Sequence, residues 1–141
     1  MIKIGITGQN GFIGTHLRNT LRIYSDKYNL IEFKRNYFED KTALDSFVSK
    51  CDVIVHLAGL NRHNIPSIIY DTNIKLASSL VESLNRSKSK PHIIMSSSSQ
   101  ESSDNLYGKS KKIGRSLISN WANEKNTIFT GMIIPVSYTH L

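Results

Sequence analysis

Met1-Ile2-Lys3-Ile4-Gly5-Ile6-Thr7-Gly8-Gln9-Asn10-Gly11-Phe12-Ile13-Gly14 is the stretch on which the reading of this chain turns. Ile2, Ile4 and Ile6 recur with a period of two, as on one face of a short strand. Glycines follow at positions 8, 11 and 14, and His16 to Leu21 takes up a helical pattern. A strand, a glycine turn and a helix in that order predict the phosphate cradle of a dinucleotide-binding fold. Gly8 allows the tight turn, Gly11 lets backbone approach a pyrophosphate, and Gly14 lets the helix pack closely on the strand. Phe12 and Ile13 lie between them, where a helix N-terminus offers free N–H groups and a partial positive charge to phosphate. Glycines also mark ordinary turns, and it is the flanking strand and helix that favour the cradle.

Working outward, 141 residues make one domain with room for a core. No apolar run approaches the ~20 residues that span a bilayer, and the N-terminus shows no signal-peptide pattern. No membrane association and a cytoplasmic location are therefore expected. Cys51 is the single cysteine, which fits a reducing compartment, and its place before an apolar run favours a buried thiol over a nucleophile. The net charge of +7 raises the question of nucleic acid. The cations are scattered and no nucleic-acid motif accompanies them, so a solvated basic surface with an anionic small ligand is the better reading. No metal-ligand cluster is expected either.

Tyr28 to Phe33 reads as a second strand, followed by Lys34-Arg35. Dinucleotide folds often end this strand with an acidic residue for the adenosine ribose. Two cations there would instead suit a 2′-phosphate, which favours NADP over NAD; two solvated loop residues are the alternative. Glu32 is placed within the strand and so is set aside as a ribose ligand. Leu44, Phe47 and Val48 predict a short amphipathic helix over 40–50. Asp52 to Gly59 is a near-continuous apolar run, as in a parallel strand buried on both faces. Leu57, Ala58 and Gly59 end it, small enough at Ala58-Gly59 for a cofactor to lie across the sheet edge. His56 in that run is expected to be a packed core residue rather than a base. Asn61 to Asn64 forms a polar loop facing either substrate or solvent, and Asp71-Thr72-Asn73 is taken to open the next helix. Pro91 to Met95 is a fourth strand that runs into Ser96-Ser97-Ser98-Ser99. Alternating strands and helices predict an α/β, Rossmann-type, doubly wound and mainly parallel sheet with helices on both faces.

Tyr107-Gly108-Lys109-Ser110-Lys111 carries the chemistry. Tyr107 and Lys111 are four apart and share a helix face. A phenol titrates near 10, so it needs a neighbouring cation to lower its pKa before it can serve as a general acid or base. A serine at the preceding strand end can orient a substrate oxygen.

With these residues the chain resembles the extended short-chain dehydrogenase/reductases, the NAD-dependent epimerase/dehydratase family, over residues 1 to 135. The Gly-x-x-Gly-x-x-Gly spacing carries this. Val55-His56-Leu57-Ala58-Gly59-Leu60-Asn61-Arg62, the Ser96-Ser97-Ser98 run and the short step from Ser98 to Tyr107 look most like capsular-polysaccharide reductases of UDP-activated deoxysugars. The resemblance implies Ser98, Tyr107 and Lys111 as catalytic residues, with Lys111 also holding the nicotinamide ribose and Asn73 near the cofactor. It implies NADP(H)-dependent 4-keto reduction of a nucleotide sugar in surface-polysaccharide synthesis. A 4-epimerase or dehydratase is the first alternative and a non-catalytic dinucleotide-binding module the second. Homodimers are common among relatives. Two departures stand out. Arg115 replaces a glutamate frequent in relatives and is read as surface variation. After Pro135, relatives continue into a substrate-binding region, whereas Val136 to Leu141 does not look like family sequence. A dinucleotide-binding domain over 1–135 and an atypical tail over 136–141, with the substrate region missing, are therefore expected.

Overall fold

The computed structural model describes residues 1–134; Pro135 and the tail over 136–141 lie outside the described residues. The chain begins with β1 (Ile2–Thr7), α1 (Phe12–Ile23) and β2 (Tyr28–Ile31). A 3-10 turn over Arg35–Glu39 leads to α2 (Lys41–Lys50), β3 (Val53–His56), α3 (Pro66–Ser87) and β4 (His92–Ser98). A second 3-10 turn, Ser99–Ser102, precedes α4 (Leu106–Glu124) and β5 (Phe129–Ile134). The strands form one sheet in the order β2-β1-β3-β4-β5, and every pairing is parallel. The chain steps from β1 outward to β2 and then returns to the other side of β1 as β3. The crevice between the C-terminal ends of β1 and β3 is therefore the switch point at which such sheets bind ligands.

Side-chain alternation divides the core in two. Ile4, Ile6 and Val55 face α1, where Leu17 and Leu21 pack on them. Ile54, Ile93 and Met95 face the other way, against Leu44, Phe47 and Val48 of α2, Ala77, Leu80 and Leu84 of α3, and Ile118, Trp121 and Ala122 of α4. Helices thus lie on both faces, as expected, but three cover one face and α1 the other. Gly5 marks the difference, because a Cβ there would run into the Phe47 ring.

Three boundaries differ from the sequence reading. β2 ends at Ile31, so Glu32 is the first residue beyond the strand and not inside it. α3 starts at Pro66 rather than Asp71, with proline at the first helical position, where its missing N–H costs nothing. β4 runs on through Ser98, so the serines are strand residues backed by β5. Asp40 caps α2 by accepting from Ala43 N (3.1 Å), and Asn105 caps α4 by accepting from Gly108 N (2.7 Å).

Candidate active site

Thr7 and His56 are register partners across β1 and β3, at the base of the switch-point crevice. Thr7 Oγ1 accepts from Leu57 N (3.1 Å) and Ala58 N (3.2 Å), which occupies both of its lone pairs. Its one O–H therefore donates to His56 Nδ1 (2.8 Å), and the imidazole carries its proton on Nε2. Burial and the charge of Lys111 push His56 down to about 3, so it is a neutral core residue that sets the start of the loop after β3. Cys51 is likewise buried; burial pushes its thiol up to about 12, and it donates to Phe47 O (3.3 Å).

The glycine turn fits a phosphate-bearing group. Gly8 has φ +75, a value glycine adopts freely, and a Cβ there would lie 2.7 Å from Ala58 N. A Cβ on Gly14 would collide with Gly8 O and stand 2.8 Å from Gln9 Cα. Gly11 caps α1 without a side-chain hydrogen bond, so the first N–H groups of the helix, beginning at Phe12 and Ile13, have no intrahelical partner and line a cleft. That cleft encloses about 910 Å³ and runs from the glycines past Leu57 and Gly59 to Ser98, Tyr107 and Lys111. The residues placed at its two ends are 84 or more positions apart in sequence, taking Gly14 and Ser98 as the nearest pair (98 − 14).

At the far end, Tyr107 and Lys111 lie on α4, and Ser98 closes β4. Ser98 is 5% and Lys111 7% exposed, and Tyr107 is half-buried. Ser98 Oγ accepts from Gln100 N (3.1 Å), which turns the chain out of the strand. Burial pushes the Tyr107 phenol up, and the Ser98 hydroxyl beside it pulls the other way. The expected lowering of Tyr107 by Lys111 is absent. The ammonium is directed toward Gly59, where an added Cβ would stand 4.0 Å from Nζ. Burial also lowers Lys111 itself, opposed by the Glu101 carboxylate. Tyr107 is therefore held as a protonated phenol, the form a proton donor needs.

The other expected ligands are placed differently. Ala58 gives its N–H to Thr7. Asn73 is 6% exposed and spends its amide on protein: Oδ1 accepts from Leu60 N (2.7 Å), and Nδ2 donates to Leu60 O (2.9 Å) and Ser110 Oγ (3.1 Å). It staples the loop after β3 from behind the cleft and is not among the lining residues. Lys34 and Arg35 are exposed just beyond β2 and do not line the cleft either. Lys34 Nζ lies 3.6 Å from Glu32 Oε1, so the acidic residue at the strand end is partly matched by a cation.

Two residues escaped the sequence reading. Gly108 sits where a Cβ would collide with Gln100 O, so the close seating of α4 on the second 3-10 turn needs glycine. Arg115 is not surface variation. It forks onto Glu101, with Nε 3.1 and 3.0 Å from the two carboxylate oxygens and Nη2 2.6 Å from Oε1. Ser97 Oγ donates to the same carboxylate. The only local signals were a glycine inside Tyr107–Lys111 and the fact that Arg115 follows Lys111 by one helical turn.

The sequence matches the model of the NAD dependent epimerase/dehydratase family over residues 4–139. The chain belongs to that family. A UDP-2-acetamido-2,6-beta-L-arabino-hexul-4-ose reductase of Pseudomonas aeruginosa is 31% identical over 111 residues, which is 79% of this chain and 29% of that protein. The capsular polysaccharide assembling protein CapF from Staphylococcus aureus is 33% identical, with a TM-score of 0.70 over 94% of this chain and 33% of that one. RMD from Pseudomonas aeruginosa, solved with NADPH, shares the fold at a TM-score of 0.80 and 18% identity, over 93% of this chain and 52% of that one. The chain thus spans about a third to a half of the length of these proteins. Among the described residues no helix is long and apolar enough to cross a membrane.

Proposed function

We propose that residues 1–135 form the dinucleotide-binding domain of an NADP(H)-dependent reductase that acts on the 4-keto group of a UDP-activated deoxysugar. The convergence of Ser98, Tyr107 and Lys111 with the glycine turn on one cleft carries this reading. The arrangement suits a carbonyl reduction, because the proton donor is held neutral by burial. A nicotinamide held in the cleft would supply the hydride for the carbonyl carbon. Tyr107 would deliver the proton to the carbonyl oxygen, Ser98 Oγ would orient that oxygen and steady the phenolate left behind, and Lys111, directed toward Gly59, would hold the nicotinamide ribose. Gly8, Gly11, Phe12, Ile13 and Gly14 would hold the pyrophosphate, and Leu57, Ala58 and Gly59 the floor beneath it. Lys34 and Arg35 would take the 2′-phosphate, with Lys34 also offsetting the repulsion that Glu32 would exert on it. The identity to a UDP-deoxysugar 4-keto reductase and to a capsule-assembly protein supports the substrate class and a place in surface-polysaccharide synthesis, among cytoplasmic nucleotide sugars.

The test is a UDP-4-keto-6-deoxy-N-acetyl sugar mixed with NADPH and the protein, with NADPH absorbance followed over time. Tyr107→Phe should bind NADPH as the wild type does and lower turnover by about 10²–10⁴-fold, the range for a lost general acid. Unchanged turnover refutes the assignment. Interconversion of sugar epimers without net NADPH loss would favour the epimerase reading instead.

A further inference from the structure

The Glu101 carboxylate joins three elements. It accepts from Ser97 Oγ at the end of β4, sits in the 3-10 turn that follows Ser98, and receives the Arg115 fork from α4. Its side chain is 11% exposed and that of Arg115 36%. Arg115 in turn passes over β5, where a Cβ on Gly131 would stand 3.3 Å from Arg115 Cδ. Tyr107, Lys111 and Arg115 succeed each other at four-residue steps on one face of α4. Between the two serines and that face the Glu101–Arg115 pair is the direct ionic tie, and among the described residues Lys111 makes no ion pair of its own.

We propose that Glu101 and Arg115 are positioning residues for the catalytic end of the cleft: their ion pair fixes the Ser97-Ser98 strand end against α4, and so sets Ser98 relative to Tyr107 and Lys111, without acting on the adenosine end. This rests on the dinucleotide reading above. The geometry supports a strut over an ordinary surface pair. The fork is bidentate and mostly sheltered, so its geometry is directional rather than a loose attraction. Removing Arg115 would leave a sheltered carboxylate with one hydroxyl donor, and the 3-10 turn would have to carry it out to water. That turn starts one residue after Ser98, so its movement is passed directly to the serine. The Glu101 charge also favours the cationic form of Lys111 against the cost of burial. A rigid Tyr-x-x-x-Lys helix cannot by itself place a serine that comes from another element; a cross-element tie can.

The experiment is calorimetric titration of the whole chain with NADPH and, separately, with adenosine 2′,5′-bisphosphate, which carries only the adenosine end. Arg115→Ala should weaken NADPH by about tenfold, the equivalent of one hydrogen bond misplaced at the nicotinamide end, and leave the bisphosphate unchanged. Arg115→Lys, which keeps charge but not the fork, should fall between Arg115→Ala and the wild type. Thermal melts establish that the variants are folded. If Arg115→Ala is not, Glu101→Gln, which keeps the shape and removes the charge, gives the same comparison. Parallel weakening of both ligands, or no weakening of either, overturns the strut while leaving the dinucleotide reading intact. A wild type that binds neither ligand overturns both.

Discussion

The two ends of the cleft are built from different materials. The glycine end is backbone: a turn at Gly8 and a bare helix start at Phe12 and Ile13. Phe12 is 68% and Ile13 42% exposed there. The opposite end is side chain: Ser98, Tyr107, Lys111 and Glu101, drawn from a strand, a 3-10 turn and a helix and largely withdrawn from water. The contrast suits the roles proposed for the two ends. A pyrophosphate is a fixed diffuse anion, and oriented N–H groups satisfy it without any titration. A proton donor must change its protonation state, which needs burial and placed charges to tune it.

The most severe way to break the comparison is at the glycine end. Gly14→Ala puts a methyl into Gly8 O and against Gln9 Cα, both of them backbone, so no side chain can swing aside. NADPH and adenosine 2′,5′-bisphosphate should weaken together by about 100-fold, since both depend on a turn displaced by something like an ångström. The melting temperature should fall as well, by the equivalent of about 1–3 kcal/mol of overpacking. Normal affinity for either ligand would show that the turn is not the phosphate cradle. Paired with the Arg115 series, this yields a double dissociation in which one end fails for both ligands and the other for NADPH alone.

A milder change sharpens the adenosine end. Replacing Lys34 and Arg35 together with alanine should weaken NADPH by about tenfold, the lower range for charge-assisted hydrogen bonds, and leave NADH unaffected. The loss should shrink at high salt, because both side chains are exposed. Equal loss for NADPH and NADH would mean that the two cations support the loop and do not read the 2′-phosphate.

The same contrast explains what could be read from sequence. The glycine turn was legible because its demands are local: positive φ at Gly8 and close approach at Gly14 arise from residues within a few positions. Tyr107 and Lys111 were legible because helical spacing alone puts them on one face. The parallel, doubly wound character of the sheet followed from the alternation of elements. Arg115 was misread because its partner Glu101 is 14 positions away and on a different element, so nothing near Arg115 announces the pair. Asn73 is expected near the cofactor from the resemblance alone; the bonds its amide makes to Leu60 and Ser110 exist only after α3 packs beside the loop and α4. Glu32 was put inside β2 because Phe33 extends the apolar pattern; in the fold Phe33 turns into the α2–α4 core and the strand has already ended. The start of α3 is hard to read because Asn61 to Asn64 is a polar loop and a proline at 66 looks like a helix breaker, whereas it is the first helical residue.

The effect that is smallest at neutral pH belongs to the joint between the two ends. His56 is held well below its ordinary value, at about 3 against 6.5, because it is buried and neutral. Between those values the unfolded chain binds a proton that the folded chain refuses, so stability is greatest above pH 6.5 and declines as the pH falls toward 3. The slope that a single such group can contribute is at most roughly 1.4 kcal/mol per pH unit. Protonation also has a geometric consequence. Nδ1 would become a donor facing the Thr7 hydroxyl, whose lone pairs already serve Leu57 N and Ala58 N. One of those N–H groups would have to give way, and the loop that floors the cleft would loosen at the point where its two ends meet. Chemical denaturation between pH 7 and 4, comparing the wild type with His56→Asn, should show a steeper decline for the wild type. Asparagine has no titrating group, and its side-chain carbonyl can accept from Thr7 in place of Nδ1. Equal slopes would place the acid sensitivity elsewhere, first at Asp45, whose carboxyl is held below its ordinary value by the Arg86 guanidinium. The two ends of the cleft would then be joined by a residue that only packs.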